Sequence, residues 1–572
     1  MRMRGWLLLA LMAATGCFTS VTLGANGTVD LVVAATTDVH GYIEGWNYLT
    51  GRPDTLRGLA RIATIVDSMR RATGTLPILV DAGDMLQGTP LTYAAARIDT
   101  MVRHPVIAAM NAMGYDAAAI GNHEFDYGLA TLDRAMRQAN FPLLAANVYG
   151  PNGQRRFAAW TVEIRRGVKV GIVGATTPGA MVLDRDQLAG RLQVRDLVPD
   201  VRSAVRDARN AGAAVVIAVV HSGLNEPSTY DTVGTGVASE NVAARLAREV
   251  PGIDVIVYGH THKEMADTVI AGTLLMQPKN WATSLAVAQL RLERHNGRWA
   301  VTYKRGHLIQ AVHHREDSQV LAVAAEGHRV AVRYAATVIG NTPVAWRADS
   351  GRVVATPLID FVLDVERRAS GAQLASTAVF SLDASLAPGP ITIAGIAALY
   401  PYDNTLRAVR ISGAQLREYL EHSARYFRAD ANRIEPDPSI PGYNYDVVGG
   451  VDYEIDVARP IGERVTRLEY QGKPVAATDT FTMAVSNFRQ AGGGGFSMLH
   501  DAPVVYDQKQ DIRELLIEEV RKRGILRPEQ FAGTRWRVVN TRNGERNKEL
   551  RGSQGAKVPN GESGEGRNRR GA

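Results

Sequence analysis

Five apolar runs in the first half of the chain each end in a side chain suited to metal binding or acid–base chemistry, and that pattern leaves few folds open. Residues 31–37 lead into Asp38-Val39-His40, residues 78–80 into Asp81-Ala82-Gly83-Asp84, and residues 117–120 into Gly121-Asn122-His123-Glu124-Phe125-Asp126. Residues 215–220 end at His221, and 255–258 end at Gly259-His260-Thr261-His262. Amphipathic stretches at 59–71, 104–113 and 198–211 alternate with such runs, which is the pattern of an α/β sheet covered by helices. Ligands of such sheets collect beyond the carboxyl ends of the strands, so the five endings converge on one rim. Singly each is weak: an isolated Asp84 or Asn122 is more often a turn residue, and an isolated His221 a surface or core histidine. The convergence carries the argument.

The donors at this rim are Asp38, His40, Asp84, Asn122, His221, His260 and His262. Mixed imidazole and carboxylate ligands suit Zn²⁺, Mn²⁺ or Fe, whereas an all-oxygen set would suit Mg²⁺ or Ca²⁺. Seven donors exceed what one ion needs once water takes a place. Two ions bridged by a carboxylate use them well, and metals about 3.5–4 Å apart stabilise both attacking and leaving oxygens of phosphoryl transfer. Asp84, set between glycine-containing turns, is the natural bridge. Asp81 reads as a structural acid, and His104, His313 and His314 lie off the strand tips.

Asp-x-His at 38–40, Gly-Asp at 83–84, Gly-Asn-His-Glu at 121–124, His221 and Gly-His-x-His at 259–262 together resemble the calcineurin-like metallophosphoesterases, in order and in spacing. The resemblance implies a helix-flanked β-sandwich (αββα). It implies one metal held by Asp38, His40, Asp84 and His262, and a second by Asp84, Asn122, His221 and His260. His123 would face the phosphate as transition-state stabiliser or proton donor, oriented by Asp126. The expected cofactors are two divalent ions, Zn, Mn or a mixed pair, with Mg, Co and Fe the further options.

The resemblance continues into the second half as the two-domain 5′-nucleotidase family, whose C-terminal α/β domain holds the base between two aromatic rings. Tyr402, in Tyr400-Pro401-Tyr402-Asp403-Asn404-Thr405-Leu406, would be one ring, and Phe488, before the run Gly492-Gly493-Gly494-Gly495, the other. Stacking tolerates any base, at roughly 1–3 kcal/mol each. Two departures point away from 5′-monophosphates. The family's Arg-bearing glycine turn is replaced by residues 381–389, which hold no Arg, and Gly494 stands where an acid would bind ribose. Arg352 is the candidate replacement cation. His104-Pro105-Val106, Tyr400 to Leu406 as quoted, Gly413-Ala414-Gln415-Leu416 and Tyr443-Asn444-Tyr445-Asp446 are similar to the 2′,3′-cyclic-nucleotide 2′-phosphodiesterase/3′-nucleotidase branch. Asn444 and Asp446 are the candidate sugar contacts.

At 572 residues the chain is too long for one core. The expected organisation is an export signal at 1–25, a dimetal domain at 28–314, a connecting helix or hinge at 315–343, a nucleotide-binding domain at 344–540 and a disordered basic tail at 541–572. The resemblance implies rotation of the two large domains about the connection. Met1-Arg2-Met3-Arg4 followed by the apolar residues 6–14 is a secretory n- and h-region, too short to span a bilayer. Cys17, the single cysteine, allows two readings: a lipidated N-terminus, or an inert residue of a signal cut near residues 23–25. Neither leaves a cysteine pair for a disulfide. Of the net charge of +7, Arg2 and Arg4 supply +2 and the tail +4, so the body is near neutral and shows no nucleic-acid footprint.

The functional expectation is therefore an exported enzyme, periplasmic or cell-envelope associated, that removes phosphate from nucleotides. Cyclic 2′,3′-diesters and 3′-monoesters come first, with 5′-nucleotides or nucleotide sugars as the alternative. Hydrolysis of a sulfur ester and a non-catalytic nucleotide-binding protein are the remaining readings. The expected partner is a small nucleotide, with no nucleic acid, membrane contact only through a lipid at Cys17, and a monomer or weak dimer.

Overall fold

The apolar runs of the first half form two six-stranded mixed sheets. The first has the order Arg298–Gln310, Ser284–His295, Gly27–Thr36, Ile78–Asp81, Ala117–Ala119, Leu143–Leu144. The last four run parallel, and the long hairpin pairs antiparallel on Gly27–Thr36. The second has the order Met265–Ile270, Thr273–Gln277, Val255–Tyr258, Val215–Val220, Val168–Ala175, Trp160–Arg165, with its four central strands parallel. The computed structural model describes residues 27–73, 76–428, 433–531, 533 and 535–541. The expected signal, Cys17 and the tail after 541 lie outside the described residues.

The sheets pack face to face through β-branched and small side chains: Leu31, Val33, Ala35 and Val80 of the first against Val170, Ile172, Ile217 and Val257 of the second. Each fully buried Val, Leu or Ile contributes roughly 1.5–3 kcal/mol, so this layer is a large share of what holds the strand tips together. Where the sheets meet at their edges, a Cβ on Gly174 would lie 2.3 Å from Cβ of Leu144, so only glycine permits that approach. Helices Leu59–Thr73, Pro105–Met113 and Leu129–Gln138 cover the first sheet, and Leu197–Asn210 and Ala243–Glu249 cover the second. The result is the αββα sandwich.

Helix Ser318–Ala335 follows, its first turn capped by Asp317, whose Oδ1 accepts from the amides of Gln319 and Val320 at 2.9 and 3.0 Å. Its Val320, Ala324, Gly327 and Ala331 recur at helical spacing and pack on the first sandwich layer. Beyond it, strands Asp446–Gly449, Leu374–Ala378, Thr480–Ser486, Thr405–Ser412 and Val504–Asp511 form a five-stranded sheet. A four-stranded sheet is built from Lys473–Pro474, Val465–Tyr470, Asp452–Asp456 and Trp536–Val539. Helices Pro357–Ser370, Gly413–Ala424 and Ile512–Arg523 share one core with these strands.

Candidate dimetal centre and substrate face

Every rim donor sits just past the carboxyl tip of a parallel strand. Asp38 and His40 follow Gly27–Thr36, Asp84 follows Ile78–Asp81, and Asn122 and His123 follow Ala117–Ala119. His221 follows Val215–Val220, and His260 and His262 follow Val255–Tyr258. The ligating atoms of Asp38, His40 and His262 lie within 4.8 Å of one another, and so do those of Asp84, His221 and His260. Asp84 stands between the groups, its Oδ2 2.9 Å from His221 Nε2 and 4.0 Å from His40 Nε2. Asn122 Oδ1 is buried and has no hydrogen-bond partner among the described residues. A buried acceptor normally finds a donor, so one left open at this rim fits a cation. The donor set as a whole fits two divalent ions.

The imidazoles are aimed by their second nitrogens. Nδ1 of His40 is 2.8 Å from the Gln87 carbonyl and Nδ1 of His221 is 2.9 Å from the Ala82 carbonyl, which leaves Nε2 of each facing the cluster. Glu240 Oε2 lies 3.1 Å from His260 Nε2, which turns Nδ1 inward. The side-chain amide of Asn280 lies 3.3 Å from Nδ1 of His262. The backbone is bent as well: Asp38, His40, Asp84, His260 and His262 all have φ between 48° and 73°. That left-handed region costs a non-glycine residue roughly 1–2 kcal/mol, so surrounding structure must hold it.

Glu124 supplies part of that hold. Its carboxylate accepts from the amides of Asp84, Met85 and Gly121 at 2.7 Å and of Leu86 at 3.0 Å, fastening the Asp84 turn to the Asn122 loop. Glu124 lies within the Gly-Asn-His-Glu motif, but nothing local in the sequence marks this role, which reaches 40 residues back to Asp84.

Electrostatics separate the rim groups. Burial pushes His40 down to about 4, with the neighbouring His262 adding to the effect. Burial opposes ionisation of Asp38, yet the hydrogen bond and charge of His262 outweigh it and hold the carboxyl at about 2. For His221 burial is outweighed by the Asp84 carboxylate, which raises it to about 9. His123, with Nδ1 2.9 Å from Asp126 Oδ2, is likewise raised: burial opposes, and the charges of Asp126 and Asp84 prevail. Behind Asp126 lies buried Asp184, to which no motif points; burial and then Asp126 keep its carboxyl well above the usual range.

In the second half, Tyr402 is 37% exposed, with the Phe380 and Tyr443 rings 5.0 and 6.4 Å from it. Phe488 is half-buried against the glycine run, where a Cβ on Gly493 would come within 2.4 Å of its ring. Arg489 links the two neighbourhoods: it donates to the Tyr443 carbonyl at 2.5 Å and to Asn444 Oδ1 at 3.4 Å, and its guanidinium lies 5.1 Å from the Phe488 ring. Tyr402, Tyr443, Asn444 and Phe488 thus share one surface. Two expected contacts are placed otherwise. Asp446 opens a strand rather than lying in a loop, is 2% exposed, and has both oxygens taken by Arg489 at 2.7 and 2.9 Å, with Tyr419 and Ser376 also donating. It neutralises buried Arg489 and has no oxygen free for a sugar. Arg352 donates to the carbonyls of Val379 and Phe380 and to the Tyr426 hydroxyl, so its donors serve the fold and not a phosphate.

Residues 31–264 match the calcineurin-like phosphoesterase family, and residues 338–501 match the 5′-nucleotidase C-terminal domain. A 2′,3′-cyclic-nucleotide 2′-phosphodiesterase/3′-nucleotidase of Haemophilus influenzae is 30% identical, across 89% of this chain and 88% of its own length. The chain belongs to the two-domain 5′-nucleotidase family of calcineurin-like metallophosphoesterases. A longer relative, the trifunctional nucleotide phosphoesterase protein YfkN of Bacillus subtilis, is 27% identical over 89% of this chain, which spans 39% of that protein. Among solved structures, a candidate 5′-nucleotidase from Staphylococcus aureus shares the architecture at a TM-score of 0.77 and 26% identity, covering 89% of this chain and 100% of its own. As a member of this family the protein is a metal-dependent phosphoric ester hydrolase. Among the described residues no helix is long and apolar enough to cross a membrane.

Proposed function

We propose that this nucleotidase-family hydrolase acts on 2′,3′-cyclic nucleotides and 3′-nucleotides. The observation that carries the reading is the pairing of two donor groups beside His123 with a second half in which residues 381–389 hold no Arg and Arg352 is spent on the fold. The donors of Arg352 are taken by carbonyls and a hydroxyl. A cyclic diester carries one charge where any monoester, 3′ or 5′, carries nearly two at neutral pH, so this argument favours the cyclic substrate, which needs less cationic help away from the metals. Three relatives at 29–30% identity are named as 2′,3′-cyclic-nucleotide 2′-phosphodiesterase/3′-nucleotidases, which agrees with this choice.

In this reading Asp38, His40, Asp84 and His262 would hold one divalent ion and Asp84, Asn122, His221 and His260 the other. Such ions supply Lewis-acid polarisation of the phosphoryl oxygens. Zn and Mn suit the mixed donors best. His123, kept protonated by Asp126, presents Nε2 as a cation to charge developing on the phosphoryl group, or gives its proton to the departing oxygen. Tyr402 and Phe488 stack on the base, and Asn444 reaches the sugar. Export, to the periplasm or cell envelope, rests on the signal-like start, and the assembly in this reading is a monomer or weak dimer.

The test is phosphate release and product analysis with Mn²⁺ or Zn²⁺ on 2′,3′-cyclic AMP, 3′-AMP and 5′-AMP, beside a His123→Ala control. Turnover dominated by the first two, lost about 10²–10⁴-fold in the control, is the expected outcome. Dominant hydrolysis of 5′-AMP would refute the substrate assignment, and silence on all three by metal-loaded protein would refute the nucleotide reading.

A further inference from the structure

The loop that carries Tyr402 does not end at the substrate face. Asp403, its next residue, turns toward the sandwich, where its Oδ2 accepts from Gln87 Nε2 at 2.9 Å and from the Tyr127 hydroxyl at 3.0 Å. Its Oδ1 is paired with Arg513, at the start of helix Ile512–Arg523. The Asp403 and Arg513 side chains are 9% and 8% exposed, so the charges are buried and matched. Arg513 is fixed further by the Pro401 carbonyl at 3.3 Å and by the Tyr93 ring, 4.7 Å from its guanidinium.

The two sandwich residues gripped by Asp403 are not arbitrary. The carbonyl of Gln87 is the group that sets Nδ1 of His40, and the backbone there lies hard against the ring, since a Cβ on Gly88 would come within 2.7 Å of His40 Cβ. Tyr127 follows Asp126, whose Oδ2 holds Nδ1 of His123. One carboxylate of the C-terminal half therefore fastens both segments that orient His40 and His123. Gln87 and Tyr127 are 4% and 5% exposed, so neither exchanges this contact for water.

We infer that Asp403 is a positioning residue: docking of the C-terminal domain through its carboxylate sets the orientation of His40 by way of Gln87 and of the His123–Asp126 pair by way of Tyr127. The inference rests on the reading of His40 as a metal ligand and His123 as the group facing phosphate. A domain that only delivers the base would alter how tightly nucleotides bind. A domain that also sets these side chains alters metal affinity and the rate on an ester that has no base.

The experiment compares wild type, Asp403→Asn, Gln87→Leu and Tyr127→Phe. Chelator-treated protein is titrated with Mn²⁺ by calorimetry, and kcat and KM are measured on bis(p-nitrophenyl) phosphate and on 3′-AMP. Side chains behind a metal ligand typically change metal affinity or activity about 10–100-fold, so a roughly tenfold weaker Mn²⁺ site is expected in Asp403→Asn and Gln87→Leu. A comparable fall in kcat on the base-free ester is expected in all three variants, with KM for that ester little changed. Unchanged Mn²⁺ affinity, with a loss confined to KM for 3′-AMP, would overturn the inference and leave Asp403 as a support for Tyr402. Should Asp403→Asn fail to fold because Arg513 loses its partner, Gln87→Leu leaves that ion pair intact and decides the matter alone. Wild-type protein active on the base-free ester but inert on nucleotides would sink the substrate reading while the Mn²⁺ titration still tests the coupling.

Discussion

Replacing Glu124 by Gln changes one oxygen to an amide nitrogen and preserves the side chain's outline. In the native protein Oε1 accepts from Met85 and Leu86, and Oε2 from Asp84 and Gly121. A glutamine keeps one acceptor oxygen, so two of the four amides would face an NH₂ group that donates. A buried donor left unmatched costs roughly 1–3 kcal/mol, which sets the loss at about 2–6 kcal/mol. Burial, and then the Asp84 carboxylate, already push Glu124 upward, so removing its charge relieves some repulsion and favours the lower half of that range. Native-state hydrogen exchange of chelator-treated protein reads the effect at the amides of Asp84, Met85, Leu86 and Gly121. All four are expected to lose protection by about 2–4 kcal/mol, well above the change elsewhere in the sandwich. With the Asp84 turn loosened, kcat/KM is expected to fall about 10–100-fold. Losses below about 0.5 kcal/mol at these amides would mean that the Asp84 turn holds itself, and the buttressing argument would be wrong.

The remaining predictions concern sites away from the rim donors. His104 is 2% exposed, both its ring nitrogens lack partners among the described residues, and burial followed by the charge of Arg134 pushes it down to about 3. Its folded value lies below the unfolded one near 6.5, so stability is intact above about pH 6.5 and falls as pH drops, by about 2 kcal/mol at pH 5. His104→Phe should flatten the acid limb of a denaturation series, and identical limbs would refute this. Gly494 has φ 74°, and a Cβ there would lie 2.4 Å from Arg489 Nη1 and 2.6 Å from Asn444 Oδ1. Gly494→Asp is therefore expected to displace Asn444, raising KM for 3′-AMP several-fold while kcat on a base-free ester stays within about twofold; improved 5′-AMP hydrolysis would show that an acid there is accommodated.

The sandwich and the side chains at its rim were legible because they follow from direction. A parallel strand can only deliver its carboxyl end to one edge of the sheet, so the residue after Val220 or Tyr258 is placed by the strand that precedes it. What stayed hidden depends on contacts far apart in sequence. The bond from Glu124 to the Asp84 amide spans 40 residues, and that from Asp403 to Gln87 spans 316, and no local periodicity records either. The left-handed φ of five donors was equally invisible, since Asp and His carry no marker for it as glycine does. Asp446 and Arg352 were misjudged for a related reason. A carboxylate and a guanidinium in loop-like sequence look available for ligands, yet one is spent on buried Arg489 and the other on backbone carbonyls.

Each triad at the rim takes members from both sheets: Asp38 and His40 from the first with His262 from the second, and Asp84 from the first with His221 and His260 from the second. An ion in either place would close a covalent-like loop between segments as much as 224 residues apart in sequence, from Asp38 to His262. Loop closure of that length removes conformational freedom from the unfolded chain, as a long-range disulfide does. This chain has a single cysteine and cannot make such a link from sulfur. Divalent ions held at the two donor groups would be its reversible staples, and a chelator would then act on it as a reductant acts on a cystine-bonded protein.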